Sequence, residues 1–127
     1  MNIHESAEDY LERILILHEQ NEKVIALDIA NSFGYSKASV SRAMKNLREN
    51  DYITVSTNGN IELTDKGIKV AKRIYERHQL LTEMFERIGV SKEIASKDAC
   101  KIEHDLSDET FEAIKAHIKQ NQKWCEY

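Results

Sequence analysis

The sequence predicts a mainly α fold with a small β-hairpin, arranged as an N-terminal winged helix-turn-helix joined by a long helix to an all-helical second half. Three observations carry this. Apolar residues recur at steps of three and four along most of the chain, which is the helical period. Proline is absent and glycine occurs only at Gly34, Gly59, Gly67 and Gly89, so breaks between helices are few. The one departure is a pair of segments rich in β-branched residues around Thr57-Asn58-Gly59-Asn60, a strong hairpin signal.

The first helix reads from about Ser6 to Gln20. Ala7, Tyr10, Leu11, Ile14, Leu15 and His18 share one face, and Glu8, Asp9, Glu12 and Arg13 fall largely on another. Taken alone, Asp9 and Glu12 make a solvated acidic first turn favoured by the helix dipole. Next, Ile25, Ala26, Ile29, Ala30 and Phe33 form a short stripe, Gly34-Tyr35-Ser36 interrupts it, and Val40, Ala43, Met44 and Leu47 resume it. Gly34 can take the left-handed conformation that ends one helix, and Ser36 can cap the next. This is the layout of a helix-turn-helix. The strands read as Tyr52 to Ser56 and Ile61 to Thr64.

Thr64 can cap a long helix reaching about Ile88, with Ile68, Ala71, Ile74, His78, Leu81, Phe85 and Ile88 along one stripe. In isolation His78 reads as a core histidine satisfied by a hydrogen bond. Gly89 ends that helix, and Ser91 can cap another that carries Cys100, Glu103 and His104. Ser107 can cap a last helix from Asp108 to about Lys119. The expected domains are residues 1–70, a winged helix-turn-helix, and residues 71–127, entirely helical.

Composition narrows the function classes. The 127 residues, 41% of them hydrophobic, suffice for one domain or two small ones sharing a core. No window approaches the roughly 18 apolar residues of a membrane span. The N-terminal His4, Glu5, Glu8 and Asp9 lack the character of a signal peptide, so a cytoplasmic chain without membrane contact is expected. Cys100 and Cys125 make no disulfide framework and are expected to be reduced. A net charge of -4 argues against unspecific nucleic-acid binding, so any DNA contact must come from a local patch.

The second helix of the helix-turn-helix supplies that patch. It carries Lys37, Ser39, Ser41, Arg42, Lys45 and Arg48, with no acidic residue between Lys37 and Arg48. Arg42 and the serines can meet base edges in a major groove, while Lys37 and Lys45 neutralise phosphates. Ser36 and the wing residue Asn58 complete the expected contact set. A solvated basic helix would look similar. The hairpin that follows argues for a winged helix, a fold that binds DNA and also serves as a protein-interaction module.

A second constellation concerns metal. Helical spacing puts the Cys100 thiol, the Glu103 carboxylate and the His104 imidazole on one face. Asp9 with Glu12 at i, i+3 and His78 in mid-chain bring the candidate ligands to six. Carboxylate, imidazole and a single sulfur together suit a divalent first-row transition metal better than calcium or magnesium. Singly, these residues also read as a small buried cysteine beside a surface Glu and His. There is no nucleophile motif, no phosphate loop and no obvious extra base, so an enzyme is not expected. A metallohydrolase and a winged-helix regulator indifferent to metal are the competing readings, separable by turnover on generic esters and by chelation.

Five motifs then carry a resemblance covering the chain up to about Lys119. They are Asp9-Tyr10-Leu11-Glu12, Ser39-Val40-Ser41, Leu63-Thr64-Asp65-Lys66-Gly67, Arg77-His78-Gln79-Leu80-Leu81 and Ile102-Glu103-His104. In their order and spacing the sequence resembles the diphtheria toxin repressor family of metal-dependent transcriptional regulators. In length it is similar to the manganese transport regulator branch, the short form without an SH3-like domain. The resemblance implies that Asp9, Glu12, His78, Glu103 and His104 are ligands and that residues 71–127 form a metal-binding and dimerisation domain. It further implies a homodimer that binds an inverted-repeat, double-stranded DNA operator when loaded with Mn(II) or Fe(II), controls metal homeostasis genes, and has no small-molecule substrate. The metal would then join the two halves.

The chain departs from both branches. It has Cys100 where the manganese branch has a glutamate, and Asp9 where the iron branch has a methionine. A thiolate softens the site, so Fe(II), Co(II), Ni(II) or Zn(II) gain relative to Mn(II). The second site of the iron branch is not matched, since Ser96 and Thr82 stand where it has a histidine and a carboxylate, with Glu83 one step away. The alternative reading is a winged-helix regulator not dependent on metal. The tail 120–127, with Trp124 and Tyr127, carries no reading.

Overall fold

The computed structural model describes residues 5–120; Cys125 and the tail with Trp124 and Tyr127 lie outside the described residues. Six helices and one hairpin follow in order: α1 (Glu5–Gln20), α2 (Ala26–Phe33), α3 (Lys37–Glu49), β1 (Ile53–Val55), β2 (Ile61–Leu63), α4 (Asp65–Arg87), α5 (Lys92–Ile102) and α6 (Asp108–Gln120). This is the mainly helical winged-helix architecture that the sequence predicts. The chain divides into two compact units within α4, after Arg73.

The first unit is built on the stripes read above. Leu11, Ile14, Val24, Ile29, Ala30, Val40, Met44, Leu47, Ile53, Ile61 and Ala71 are buried in one cluster. Each large member stabilises the unit by about 1.5–3 kcal/mol relative to exposure. Gly34 closes α2 at φ 76°, with its N–H bonded to the Ala30 carbonyl, and only a residue free of a Cβ takes that angle cheaply. The start of α2 is fixed by Asp28, whose carboxylate accepts the Ile25 N–H at 2.9 Å. Ser36 caps α3 by accepting the Ser39 N–H at 3.2 Å.

The hairpin pairs antiparallel with Ile53 opposite Leu63 and Val55 opposite Ile61. Its strands are shorter than the sequence predicts: Tyr52, Ser56 and Thr64 fall outside them, Ser56 being taken into a self-bonded turn over residues 56–60. The Ser56 hydroxyl and the Asn60 N–H both donate to the Asn58 side-chain oxygen. Beyond the turn, the Ile61 N–H donates to the Val24 carbonyl at 2.7 Å, and the Asn60 side-chain oxygen accepts the Val24 N–H at 2.9 Å. The segment before α2 is thereby tied to β2. His18 of α1 adds a bond from its Nε2 to the Ile61 carbonyl, at 2.5 Å.

In the second unit Ile74, Leu81, Ala95, Ala99, Phe111 and Ile118 are buried. Gly89, at φ 108°, ends α4, and the Ser91 and Ser107 hydroxyls accept the N–H groups of Ile94 and Thr110 at the starts of α5 and α6. One boundary differs from the sequence reading. α5 stops at Ile102, so Glu103 is its C-cap and His104 lies in the following turn. Past this end Arg77, almost wholly buried, holds the turn, its Nη1 donating to the carbonyls of both Glu103 (3.0 Å) and Leu106 (2.7 Å). Those carbonyls are turned to the guanidinium and do not continue the helix.

Candidate nucleic-acid interface and metal centre

In the first unit α3 presents Lys37, Ala38, Ser41, Arg42, Lys45 and Arg48 to solvent, while Val40, Met44 and Leu47 face the core. The basic face follows from the helical period: positions not needed for burial carry the charge. The serines of its first turn are not equivalent. Ser36 accepts from the Ser39 backbone and donates its own proton to the Ser39 hydroxyl at 2.9 Å, so its capacity is used within the turn. Ser41 is exposed on the next turn. Asn58 likewise serves the wing turn through its oxygen. Between α3 and the wing runs an open groove of about 480 Å³ whose lining includes Ser41, Lys45, Arg48, Val55 and Asn58. Its apolar floor, Met44 and Ile61, is core seen through the gap.

On α1 of the same unit Asp9 and Glu12 occupy half-buried positions one turn apart. Glu8, their neighbour on α1, is buried and lies 3.8 Å from Arg73.

The second unit gathers three of the sequence-predicted ligands. Glu103 is 0% exposed. One of its carboxylate oxygens lies 2.9 Å from His78 Nδ1, and the other lies 3.5 Å from His104 Nε2. α4 supplies His78, and the end of α5 supplies the other two. Cys100, one turn earlier on α5, has an exposed position. A fully buried carboxylate flanked by two imidazoles is a donor set of hard oxygen and borderline nitrogen, and it fits a divalent first-row transition ion.

Several contributors escaped the sequence reading. Arg77 fixes the Glu103 backbone, donates from Nη2 to Asp108 at 2.6 Å, and lies over the Phe111 ring at 5.0 Å. A signal existed: Arg77 falls three residues after Ile74 and four before Leu81, on the buried stripe itself. Ser96 also approaches the cluster, with its hydroxyl 3.2 Å from His78 Nε2. His18 lies on the apolar face of α1 and Asn60 in the hairpin turn, as the sequence suggests, but that they bond to the Ile61 carbonyl and the Val24 N–H had no sequence signal.

A capped basic helix beside a wing, followed by a helical unit with a buried carboxylate–imidazole cluster, defines a winged-helix transcriptional regulator of the metal-dependent class. Two family models match. One, described as iron dependent repressor, N-terminal DNA binding domain, covers residues 2–60, and the other, iron dependent repressor, metal binding and dimerisation domain, covers residues 64–126. The chain belongs to the iron-dependent repressor family.

Relatives agree. An uncharacterized HTH-type transcriptional regulator of Methanocaldococcus jannaschii is 35% identical over 118 residues, 91% of this chain and 94% of that protein. The HTH-type transcriptional regulator MntR of Bacillus subtilis is 34% identical over 109 residues, 86% of this chain and 77% of MntR. Among solved structures, the manganese regulator SloR aligns with a TM-score of 0.78 at 27% identity, over 94% of this chain and 55% of that one. A manganese-dependent transcriptional repressor in complex with manganese aligns at 0.81 and 28%, over 89% and 52%. The chain thus spans about half the length of these solved chains. Among the described residues no helix is long and apolar enough to cross a membrane.

Proposed function

We propose that this chain is a metal-responsive transcriptional repressor that acts in the cytoplasm as a homodimer, binds an inverted-repeat DNA operator when loaded with Mn(II) or Fe(II), and controls metal homeostasis genes. It is a regulator and not an enzyme. Residues 1–70 serve as the DNA-binding domain and residues 71–127 as the metal-binding and dimerisation domain. The ligands are Asp9, Glu12, His78, Cys100, Glu103 and His104, and the DNA contacts come from Ser36, Lys37, Ser39, Ser41, Arg42, Lys45 and Asn58, of which Ser36 and Asn58 also shape the turn and the wing. The observation that carries this reading is the Glu103 carboxylate, withdrawn from solvent and set between two imidazoles in a chain whose recognition helix carries no acidic residue between Lys37 and Arg48.

Held by these residues, a divalent ion would neutralise their carboxylates, would take the Cys100 sulfur as a soft ligand, and would favour the DNA-competent conformation. Linkage then requires operator DNA to tighten metal binding by the same factor, typically about 5- to 150-fold. Two recognition helices related by a two-fold axis read half-sites about 34–36 Å apart.

The test is anaerobic fluorescence anisotropy on an inverted-repeat operator selected from random DNA, titrating Mn(II), Fe(II), Co(II) and Zn(II) against a chelated control. Metal should tighten binding, and Glu103→Gln and His104→Ala should remove that response while circular dichroism stays unchanged. An undiminished metal response in both variants overturns the site, and DNA binding indifferent to chelation favours the metal-independent regulator.

A further inference from the structure

His78 is held from both ring nitrogens within the second unit. Nδ1 lies 2.9 Å from Glu103 Oε2, and Nε2 lies 3.2 Å from the Ser96 hydroxyl. A neutral imidazole carries one proton, so one nitrogen donates and the other accepts. Two arrangements satisfy these distances. Either Nδ1–H donates to the Glu103 carboxylate and Nε2 accepts from Ser96, or Nε2–H donates to Ser96 and the Nδ1 lone pair faces the Glu103 side. Serine serves both, because its hydroxyl is donor and acceptor and its proton rotates freely. A histidine or a carboxylate at that position would compete as a ligand, and an alanine would hold neither form.

Ser96 supplies a hydroxyl at hydrogen-bonding distance from Nε2. The nearby Thr82 hydroxyl donates to the His78 carbonyl at 2.7 Å and is engaged with the α4 backbone. An open groove of about 290 Å³, lined by His78, Thr82, Glu83, Glu86, Lys92 and Ser96, brings solvent to the Nε2 side. The nitrogen on the carboxylate side is Nδ1.

We propose that Ser96 is a positioning residue for the metal centre, switching from donor to acceptor so that His78 keeps its single proton while the proton's position changes. Without metal the proton sits on Nδ1, shared with Glu103. With a cation bound, Nδ1 offers its lone pair and the proton sits on Nε2, donated to Ser96. The ring therefore becomes a ligand with no net change in its own protonation and no lost hydrogen bond on the Nε2 side. Hydrogen-bonded partners of this kind typically contribute about 10–100-fold in metal affinity.

This inference rests on the proposed metal centre, and the experiment separates the two. Protein labelled with 15N-histidine is titrated with Zn(II), a diamagnetic probe, and followed by long-range 1H–15N correlation spectra, with affinity from competition against a chromophoric chelator. In the wild-type chain the His78 ring should change from the Nδ1–H to the Nε2–H pattern. Ser96→Ala should weaken Zn(II) by about 10- to 100-fold and blur that change into a tautomer mixture, and Ser96→Thr, which retains the hydroxyl, should restore both. Wild-type affinity and tautomers in Ser96→Ala overturn the proposal. If Glu103→Gln also binds Zn(II) like the wild type, the metal centre itself is misassigned; if only Glu103→Gln loses binding, the centre stands and the role of Ser96 falls. Should Ser96→Ala misfold by circular dichroism, Ser96→Cys, of similar volume but a weak hydrogen-bonder, takes its place under the same criteria.

Discussion

Replacing Arg77 with methionine keeps an apolar stem on the buried stripe and removes the guanidinium. Two carbonyls lose a charged donor, Glu103 at 3.0 Å and Leu106 at 2.7 Å. Hydrogen bonds to charged groups contribute about 1.5–3 kcal/mol each. The ion pair with Asp108 adds little, because that carboxylate is 78% exposed and screened by solvent, worth about 0–1 kcal/mol. Against the loss stands the relief of no longer burying a charge, which offsets part of it. The balance is a destabilisation of about 3 kcal/mol. Urea unfolding followed by circular dichroism, at fixed protein concentration, should show a lower midpoint at unchanged slope. Arg77→Lys should recover only part of the loss, since one ammonium cannot reproduce the fork. A change below about 0.5 kcal/mol for Arg77→Met would refute the claim that the guanidinium holds this turn. The same substitution should also weaken Zn(II) binding, because the residue whose carbonyl is released is the one that carries the central carboxylate.

Three further outcomes are expected. Gly67→Ala places a Cβ 2.1 Å from the Tyr52 carbonyl oxygen, so the backbone must shift, at a cost of about 1–3 kcal/mol; a melting temperature equal to wild type would contradict the contact. Lys45→Ala should weaken operator binding about uniformly across sequences and reduce the salt slope by about 1, whereas Arg42→Ala should relax preference at one or two base pairs; selection from random DNA with both variants distinguishes these effects, and identical profiles would remove Arg42 from base reading. The Tyr10 hydroxyl is pushed above its usual range by burial first and by Tyr35 second. The unfolded chain therefore ionises that hydroxyl first, and stability falls as pH rises above about 10. Tyr10→Phe should flatten this alkaline slope, and an unaltered slope would show that Tyr10 is not its source.

Much of the architecture was legible because its causes are local. Gly34 ends α2 and Ser36 caps α3 through chemistry confined to four residues, and the spacing of Val40, Met44 and Leu47 alone assigns the face of α3 that remains free for charge. The wing was legible from its Asn-Gly turn, though not its strand lengths, which depend on how Asn58 gathers its neighbours. What the sequence concealed is long-range. Nothing near Glu103 announces that a guanidinium 26 residues earlier holds its carbonyl, and Gly67 reads as punctuation when its role is to let Tyr52 approach. The ligand residues were recognisable by type and spacing. That Glu103 lies at 0% exposure between two imidazoles, while Cys100 one turn away is exposed, is a matter of packing.

The start of α4 has a mechanical consequence. Thr64 donates its hydroxyl proton to the Asp51 carbonyl at 2.6 Å and accepts the Gly67 N–H with the same oxygen. Lys66 donates to the Asn50 carbonyl and rests over the Tyr52 ring, and Gly67 sits against the Tyr52 backbone. Thr64, Lys66 and Gly67 thus tie the start of the helix to the three residues that lead into β1. The start of the helix and the root of the wing are joined by direct bonds and contact, so a twist of the first turn of α4 strains these bonds and is passed to the segment that leads into the hairpin.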